Sequence, residues 1–320
     1  MRNMKKIKMV WFRFFSIGII CLICQTAELV FGQSAESFIP NPQWTKIAGD
    51  LNFPEGPAWN GKDALFVSNC YGGWIAQITD SKVDTFVTAR SIGIQKTNGT
   101  VFDSFGNLFA CDYGLKAIVK ISPAKSMTII ADSSQSQPFN RPNDLAFSKS
   151  GNLYFTDPNR YDRQNPDGKV YCISGKDRSV RIVHNAIAFP NGIAFSEDGK
   201  QMFVCESAAN RILIFDILQS GNITNGRTFV ELPGGDPDGI ALDVQGNLYV
   251  AHFGGGAIYI ITPDGKILQK ISAPGKKPSN LEFGGKDMKT LFLTEVETNS
   301  VYKMEVPVSG LKLFRSSQFK

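Results

Sequence analysis

A six-fold internal repeat constrains this chain more than any other feature. The runs Ala64-Leu65-Phe66-Val67-Ser68, Asn107-Leu108-Phe109-Ala110-Cys111, Asn152-Leu153-Tyr154-Phe155-Thr156, Gln201-Met202-Phe203-Val204-Cys205, Asn247-Leu248-Tyr249-Val250-Ala251 and Thr290-Leu291-Phe292-Leu293-Thr294 align with one another. Their second residues are separated by 43, 45, 49, 46 and 43 positions. A period of this size means that one supersecondary unit is used over and over. Each unit has the same plan: a short apolar strand such as Gly239-Ile240-Ala241-Leu242, a turn, the marker strand, a second turn and two more alternating strands. Gly106-Asn107, Gly151-Asn152 and Gly246-Asn247 supply turn residues that accept positive φ at little cost. Four strands per repeat arranged about an axis make a propeller blade. The expected fold is therefore all-β, a six-bladed β-propeller, since a stacked solenoid would need helices or shorter rungs.

A propeller has to close, or its end blades expose free strand edges. The sixth unit stops one strand short, after Ser300-Val301-Tyr302-Lys303-Met304-Glu305-Val306, while Trp44-Thr45-Lys46-Ile47-Ala48 precedes the first unit with no blade of its own. The N-terminal strand is therefore expected to complete the last blade. Residues 33–306 form the propeller and 307–320 a tail beyond the closure. Although 320 residues is long for one domain, closed β architectures reach that length.

The formal charge of +5 is concentrated at the front. Residues 1–32 hold Arg2, Lys5, Lys6, Lys8 and Arg13 against Glu28 alone; without them 29 basic and 28 acidic residues remain. A nucleic-acid binder needs a basic stripe, and none is left. The basic start, the apolar stretch from Phe14 to Cys24 and the smaller residues up to Gly32 read as a signal peptide, so a secreted or periplasmic location is expected. The apolar stretch is shorter than a spanning helix requires, so no stable membrane span is expected after cleavage. Cys70, Cys111, Cys172 and Cys205 fit no metal spacing and are expected as buried free thiols, although an oxidising compartment would permit pairing.

Just before its innermost strand each unit carries a polar residue four positions ahead of an apolar one. These are Glu55, Asn98, Asn143, Asn191, Asp238 and Ser279, ahead of Trp59, Phe102, Phe147, Phe195, Leu242 and Phe283. Equivalent positions in a propeller face one axis at one end, so the six should converge on a single pocket. Each alone has a local explanation as a turn or cap residue. Together, carboxylates and amides buried without compensation would be costly, and a hard cation is their natural partner. One divalent metal is expected, with calcium the best fit to irregular oxygen ligation, ahead of magnesium, manganese and zinc.

Several segments carry a family likeness: Phe53-Pro54-Glu55-Gly56-Pro57, Arg141-Pro142-Asn143-Asp144, Phe189-Pro190-Asn191-Gly192 and Pro237-Asp238-Gly239. In this order, with Asn280-Leu281-Glu282-Phe283, they resemble the regucalcin/gluconolactonase (senescence marker protein-like) family over about residues 50–305. The resemblance implies a divalent metal, often calcium, held by Glu55, Asn191 and Asp238, with Asn143 a further ligand or a substrate contact. It also implies that Arg141 helps to hold substrate and that Asp238 doubles as general acid/base. Some related lactonases have a polar residue where this chain has Gly239, and the ligands of a second metal found in some relatives are not matched.

The chemistry follows without the likeness. A metal with an open position polarises an ester carbonyl and acidifies water, which is most of what lactone opening needs. Asp238 could shuttle the proton, while Arg141, Asn143 and Asn98 orient a small hydroxylated lactone. No Gly-x-Ser-x-Gly elbow is present, which argues against a serine triad. His184 and His252 are expected in packing roles, and Gly254-Gly255-Gly256 in a tight turn rather than a phosphate loop. Asp112, Asp157, Glu206 and Glu295, just after marker strands, fit either the pocket rim or strand-end hydrogen bonds. The leading expectation is a lactonase acting as a monomer or weak oligomer. The alternatives are a non-catalytic propeller that binds a ligand or partner through the same face, and an enzyme like the strictosidine-synthase-like propellers, which share the Asn-Gly strand motif.

Overall fold

The computed structural model describes residues 37–80 and 82–319, so the expected signal segment lies outside the described residues. Six four-stranded antiparallel sheets follow one another round an axis, each beginning at its inner strand. The inner strands are Pro54–Trp59, Thr97–Phe102, Leu145–Phe147, Pro190–Phe195, Asp236–Leu242 and Pro278–Gly284, which number the blades one to six. The marker runs form the second strands, Leu65–Asn69 in blade one through Thr290–Glu295 in blade six. Their alternation of large apolar residues is buried on both faces because a blade is sandwiched between its neighbours. Phe109 of blade two, for example, packs edge-on against Phe147 of blade three at 5.2 Å. The apolar clusters likewise draw on adjacent blades: one joins Val101, Phe109 and Ile118 to Leu145, Leu153 and Phe155. Truncating one such side chain to Ala should cost about 2–5 kcal/mol.

Closure is as expected. Thr45–Ala48 pairs antiparallel with Ser300–Glu305 as the outer strand of blade six, Thr45 opposite Lys303 and Ala48 opposite Val301. Gly106, Gly151 and Gly246 all sit at φ between 80° and 85°, the conformation their turns demand.

The tail beyond the closure is docked on the ring. Residues 307–319 do not run free but cross the ring at the end of the inner strands away from the polar residues. The Leu311 amide donates to Leu242 O at 2.8 Å and Gly310 to Met288 O at 2.7 Å. The Arg315 guanidinium donates to the carbonyls of Trp59 and Asn60, and Ser316 Oγ to that of Gly151. Phe319 ends buried between Phe109 and Phe147. Five of the six blades are tied together by this segment. No disulfide forms among the described residues: Cys70, Cys111, Cys172 and Cys205 are free and buried.

Candidate functional site

The inner strands deliver their polar residues through local breaks in the ladder. The pairing of inner and second strand shifts between Glu55 and Ala58, Thr97 and Thr100, Pro190 and Ile193, Pro237 and Ile240, and Pro278 and Asn280. A bulge re-aims a side chain, and here it falls on the predicted ring positions. The strands crowd so closely that the next residue is glycine in four blades. A Cβ on Gly56 would lie 2.0 Å from the Asn98 carbonyl oxygen, and one on Gly239 2.1 Å from Asn280 Oδ1. The space that a side chain at Gly239 would need is thus filled from blade six.

A second device fixes the loops that lead into these strands. The last residue of each marker strand turns its side chain back onto them. Asn69 accepts from the Asn52 amide, Asp112 from Gln95 and Lys96, Asp157 from Asn140 and Arg141, Glu206 from Ala188, and Glu295 from Lys277, at 2.6–3.0 Å. The strand-end acids are therefore loop clamps rather than rim groups. In blade five His252 takes this place, its Nε2 2.8 Å from the Leu232 carbonyl, and His184 packs on Phe215. Both histidines have packing or positioning roles, as expected.

Glu55, Asn98, Arg141, Asn143, Asn191 and Asp238 line one axial cavity of about 310 Å³. Four blades thus bring Glu55, Asn143, Asn191 and Asp238 to one chamber from positions up to 183 residues apart. Ser279 is the exception. Its hydroxyl is used up on Pro54 O at 2.8 Å and on Thr294, so it joins blade six to blade one and does not line the cavity. A short side chain at a crowded strand crossing finds backbone before it reaches the axis.

The electrostatics are unusual. Glu55 and Asp238 are buried, and burial, reinforced by neighbouring acids, raises both pKa values well above the carboxylate range. Asp144, just beneath them, is pushed up to about 7 by burial against opposition from the Leu145 and Ile193 amides. The cavity's one cationic side chain, Arg141, gives a hydrogen bond to the Asn159 carbonyl and lies over the Phe189 ring at 5.6 Å. Its charge is committed at the rim, and among the described residues no other cationic side chain lines the cavity beside the deep acids. Asn191 and Asn280 donate to Asp238 and Glu55, which orients the carboxylates without neutralising them. Among the described residues no three His, Cys, Asp or Glu side chains gather as a metal cluster. The chamber offers the carboxylates of Glu55 and Asp238, with Asp236 at the mouth, and amide oxygens instead, a donor set that suits a hard divalent cation and not a thiophilic one.

Several residues of the chamber were not anticipated. Beneath it, bounding the smaller cavity on the far side of the ring, Asp144 and Asn280 occupy the place that glycine fills in the other four blades, a departure visible in the repeat alignment. Asp236 and the aromatic residues Phe53, Tyr71, Tyr113, Tyr161, Phe189 and Phe253 complete the mouth. Phe53, Phe189 and Asp236 share one offset, two residues before a ring position, and Tyr113 and Phe253 another, directly after Asp112 and His252, so the repeat alignment holds a signal for them; Tyr161 comes from the excursion after Asp157, which has no such counterpart.

Comparison with known proteins agrees with this architecture. Residues 53–297 match the family model described as SMP-30/Gluconolactonase/LRE-like region. A gluconolactonase of Zymomonas mobilis is 33% identical over 284 residues, covering 78% of this chain and 77% of its own. A diisopropyl-fluorophosphatase of Loligo vulgaris is 33% identical over 223 residues, 65% of this chain and 70% of its own. A solved Xanthomonas campestris structure described as a gluconolactonase superimposes with a TM-score of 0.75 at 24% identity, over 85% of this chain and 92% of its own, and shows the shared fold. The chain belongs to the SMP-30/gluconolactonase/LRE-like family.

Proposed function

We propose that the protein is a metal-dependent lactonase that opens the ring ester of a small lactone in the axial chamber. The observation that carries this is the pair of buried, uncompensated carboxylates, Glu55 and Asp238, beside the amides of Asn143 and Asn191 in one cavity. Family membership supports it, since relatives bear the names gluconolactonase and, in Staphylococcus haemolyticus, lactonase drp35. Glu55, Asn143, Asn191 and Asp238 would hold one divalent cation, calcium fitting the oxygen donors best. Such a cation supplies Lewis acidity toward a carbonyl oxygen and acidifies water.

The remaining steps belong to the chain. Asp238, as a carboxylate, would take a proton from the attacking water and return it to the ring oxygen as it leaves. Asn98, Asn143 and Arg141 hold the substrate so that its carbonyl faces the acids. Residues 1–32, read as an export signal, support an activity outside the cytoplasm.

The test is turnover of a lactone panel by purified protein with chelator, then with calcium, magnesium, manganese or zinc restored. Activity should vanish with chelator and return with calcium. A complete absence of turnover under every metal would leave a non-catalytic binding propeller as the better account.

A further inference from the structure

We infer that the face of the ring crossed by the tail carries a second ligand site, for a small carboxylate with a flat apolar body, held between residues 312–315 and the ends of blades one, two and six. The site is independent of the lactonase proposal, because it shares no lining residue with the axial chamber. Its cavity measures about 300 Å³, close to the chamber's 310 Å³ and within the range of pockets that hold small molecules.

The cavity exists because the tail is fixed at two points and arches between them. The Gly310 and Leu311 amides are held by the carbonyls of Met288 and Leu242 at 2.7 and 2.8 Å. The Arg315 guanidinium is held by those of Asn60 and Trp59 at 2.9 and 2.7 Å. Residues 312–314, between these anchors, belong to no strand. Leu313 lines the cavity and remains 40% exposed. Trp59, half-buried and stacked on Phe292 at 5.8 Å, supplies a second wall, and Phe102 and Met288 complete the apolar lining. Apolar surface left to water is unfavourable, and a flat apolar body laid against Trp59 and Leu313 removes it from water.

The charge around this cavity selects the rest of the ligand. Lys286, Lys312 and Arg315 line it, with Glu282 as the one acid. Burial lifts the pKa of Glu282 to about 8, so near neutral pH its carboxyl is mostly protonated and does not oppose an anion. Lys286 and Lys312 are exposed and enter none of the ion pairs formed among the described residues. Beyond residue 32 the chain holds 29 basic and 28 acidic residues, so this is a local excess and not a general basicity.

Arg315 is the anchor. A guanidinium has five N–H donors, and the Trp59 and Asn60 carbonyls engage two of them. The group lies over the Phe102 ring at 5.7 Å, which leaves its remaining donors beside the apolar walls. Burial lowers its pKa, with Glu282 and Asp103 opposing. Asp103 is itself occupied, since its carboxylate accepts from the Phe105 and Asn107 amides and from the Asn107 side chain. A partly desolvated guanidinium with free N–H groups is the partner that a carboxylate fits best.

The experiment is calorimetry on the full chain with no metal added, using phenylacetate, phenylacetamide and acetate as probes. Phenylacetate should bind at least about tenfold more tightly than phenylacetamide, which lacks the charge, and than acetate, which lacks the ring. The double variant Lys286→Glu and Lys312→Glu should weaken phenylacetate binding at least about tenfold, with a melting midpoint within about 2 °C of the parent in the absence of ligand. Leu313→Asn should weaken it about threefold through the lost apolar contact. Asn98→Ala, in the axial chamber, should leave the affinity unchanged. Phenylacetate should raise the melting midpoint of the parent and not that of the double variant. Absence of saturable binding below about 10 mM would overturn the proposal. So would equal affinity for the amide, or a loss of binding in Asn98→Ala with none in the lysine variant.

Discussion

At one end of the channel the inner strands present Glu55, Asn143, Asn191 and Asp238 to an open chamber with no counter-charge from the chain. At the other end the same strands run beneath residues 307–319 and are sealed by them. A small cavity of about 50 Å³ remains there, bounded by Asp144, Glu282 and Leu311 among others. Of the two acids there, Glu282 has a cation nearby: Arg315 of the tail lies close enough for its charge to favour the ionised form. Open acids wait for a ligand, whereas the enclosed acid is served by the chain itself. The contrast separates groups retained for chemistry from groups retained for structure.

The sharpest way to break this distinction is at the open end. Asp238→Asn should lower kcat by at least about 10³-fold, since it removes both the proton shuttle and one cation ligand. Its unfolding midpoint without metal should equal or exceed that of the parent, because a buried, poorly compensated carboxylate is replaced by a neutral group of the same shape. Stopped turnover with an intact melting transition is the expected pair of results. A large fall in stability would make Asp238 a structural residue.

The closed end should behave in the opposite way. Phe319→Ala empties a pocket between Phe109 and Phe147 and should cost about 3–5 kcal/mol by denaturant titration, while kcat/KM per folded molecule changes less than tenfold. Between the two ends stand the loop clamps. Asp157→Ala leaves the Asn140 and Arg141 amides without their acceptor and should cost about 1–3 kcal/mol. Because those amides lead directly to Asn143, KM should rise more than kcat falls, as steady-state kinetics would show.

How much of this was legible beforehand follows from what repeats. The blade count, the closing strand and the convergence of Glu55, Asn98, Asn143, Asn191 and Asp238 all follow from equal offsets in successive units, because rotation about one axis carries equivalent positions to equivalent places. Ser279 shares the offset but not the reach, so symmetry placed its backbone and misjudged its side chain. The strand-end acids were visible as a repeated position, while their role needed the folded loop above each one. Tyr161 and the tail break the symmetry altogether. Tyr161 is carried in by an excursion between strands ending at Asp157 and starting at Gly168, and Phe319 meets blades two and three only after the chain has crossed the ring.

The smallest effect is expected from Glu282, and it tests whether the closed end is truly sealed. Burial lifts its pKa from 4.5 to about 8, with Arg315 opposing and Asp144 adding to the rise. The folded protein then holds a proton that the unfolded chain releases above about pH 4.5, so this residue's contribution to stability is greatest below that pH and declines as pH rises through 8. Glu282→Gln cannot titrate. Its stability relative to the parent should be flat below pH 4.5, grow between 4.5 and 8, and level off above that. The raised pKa values of Glu55, Asp144 and Asp238 affect both proteins and largely cancel in the difference. Denaturant titrations of the two at pH 5, 7 and 9 measure it; a difference independent of pH would mean that water reaches Glu282 past the tail, and the two ends would no longer be distinct.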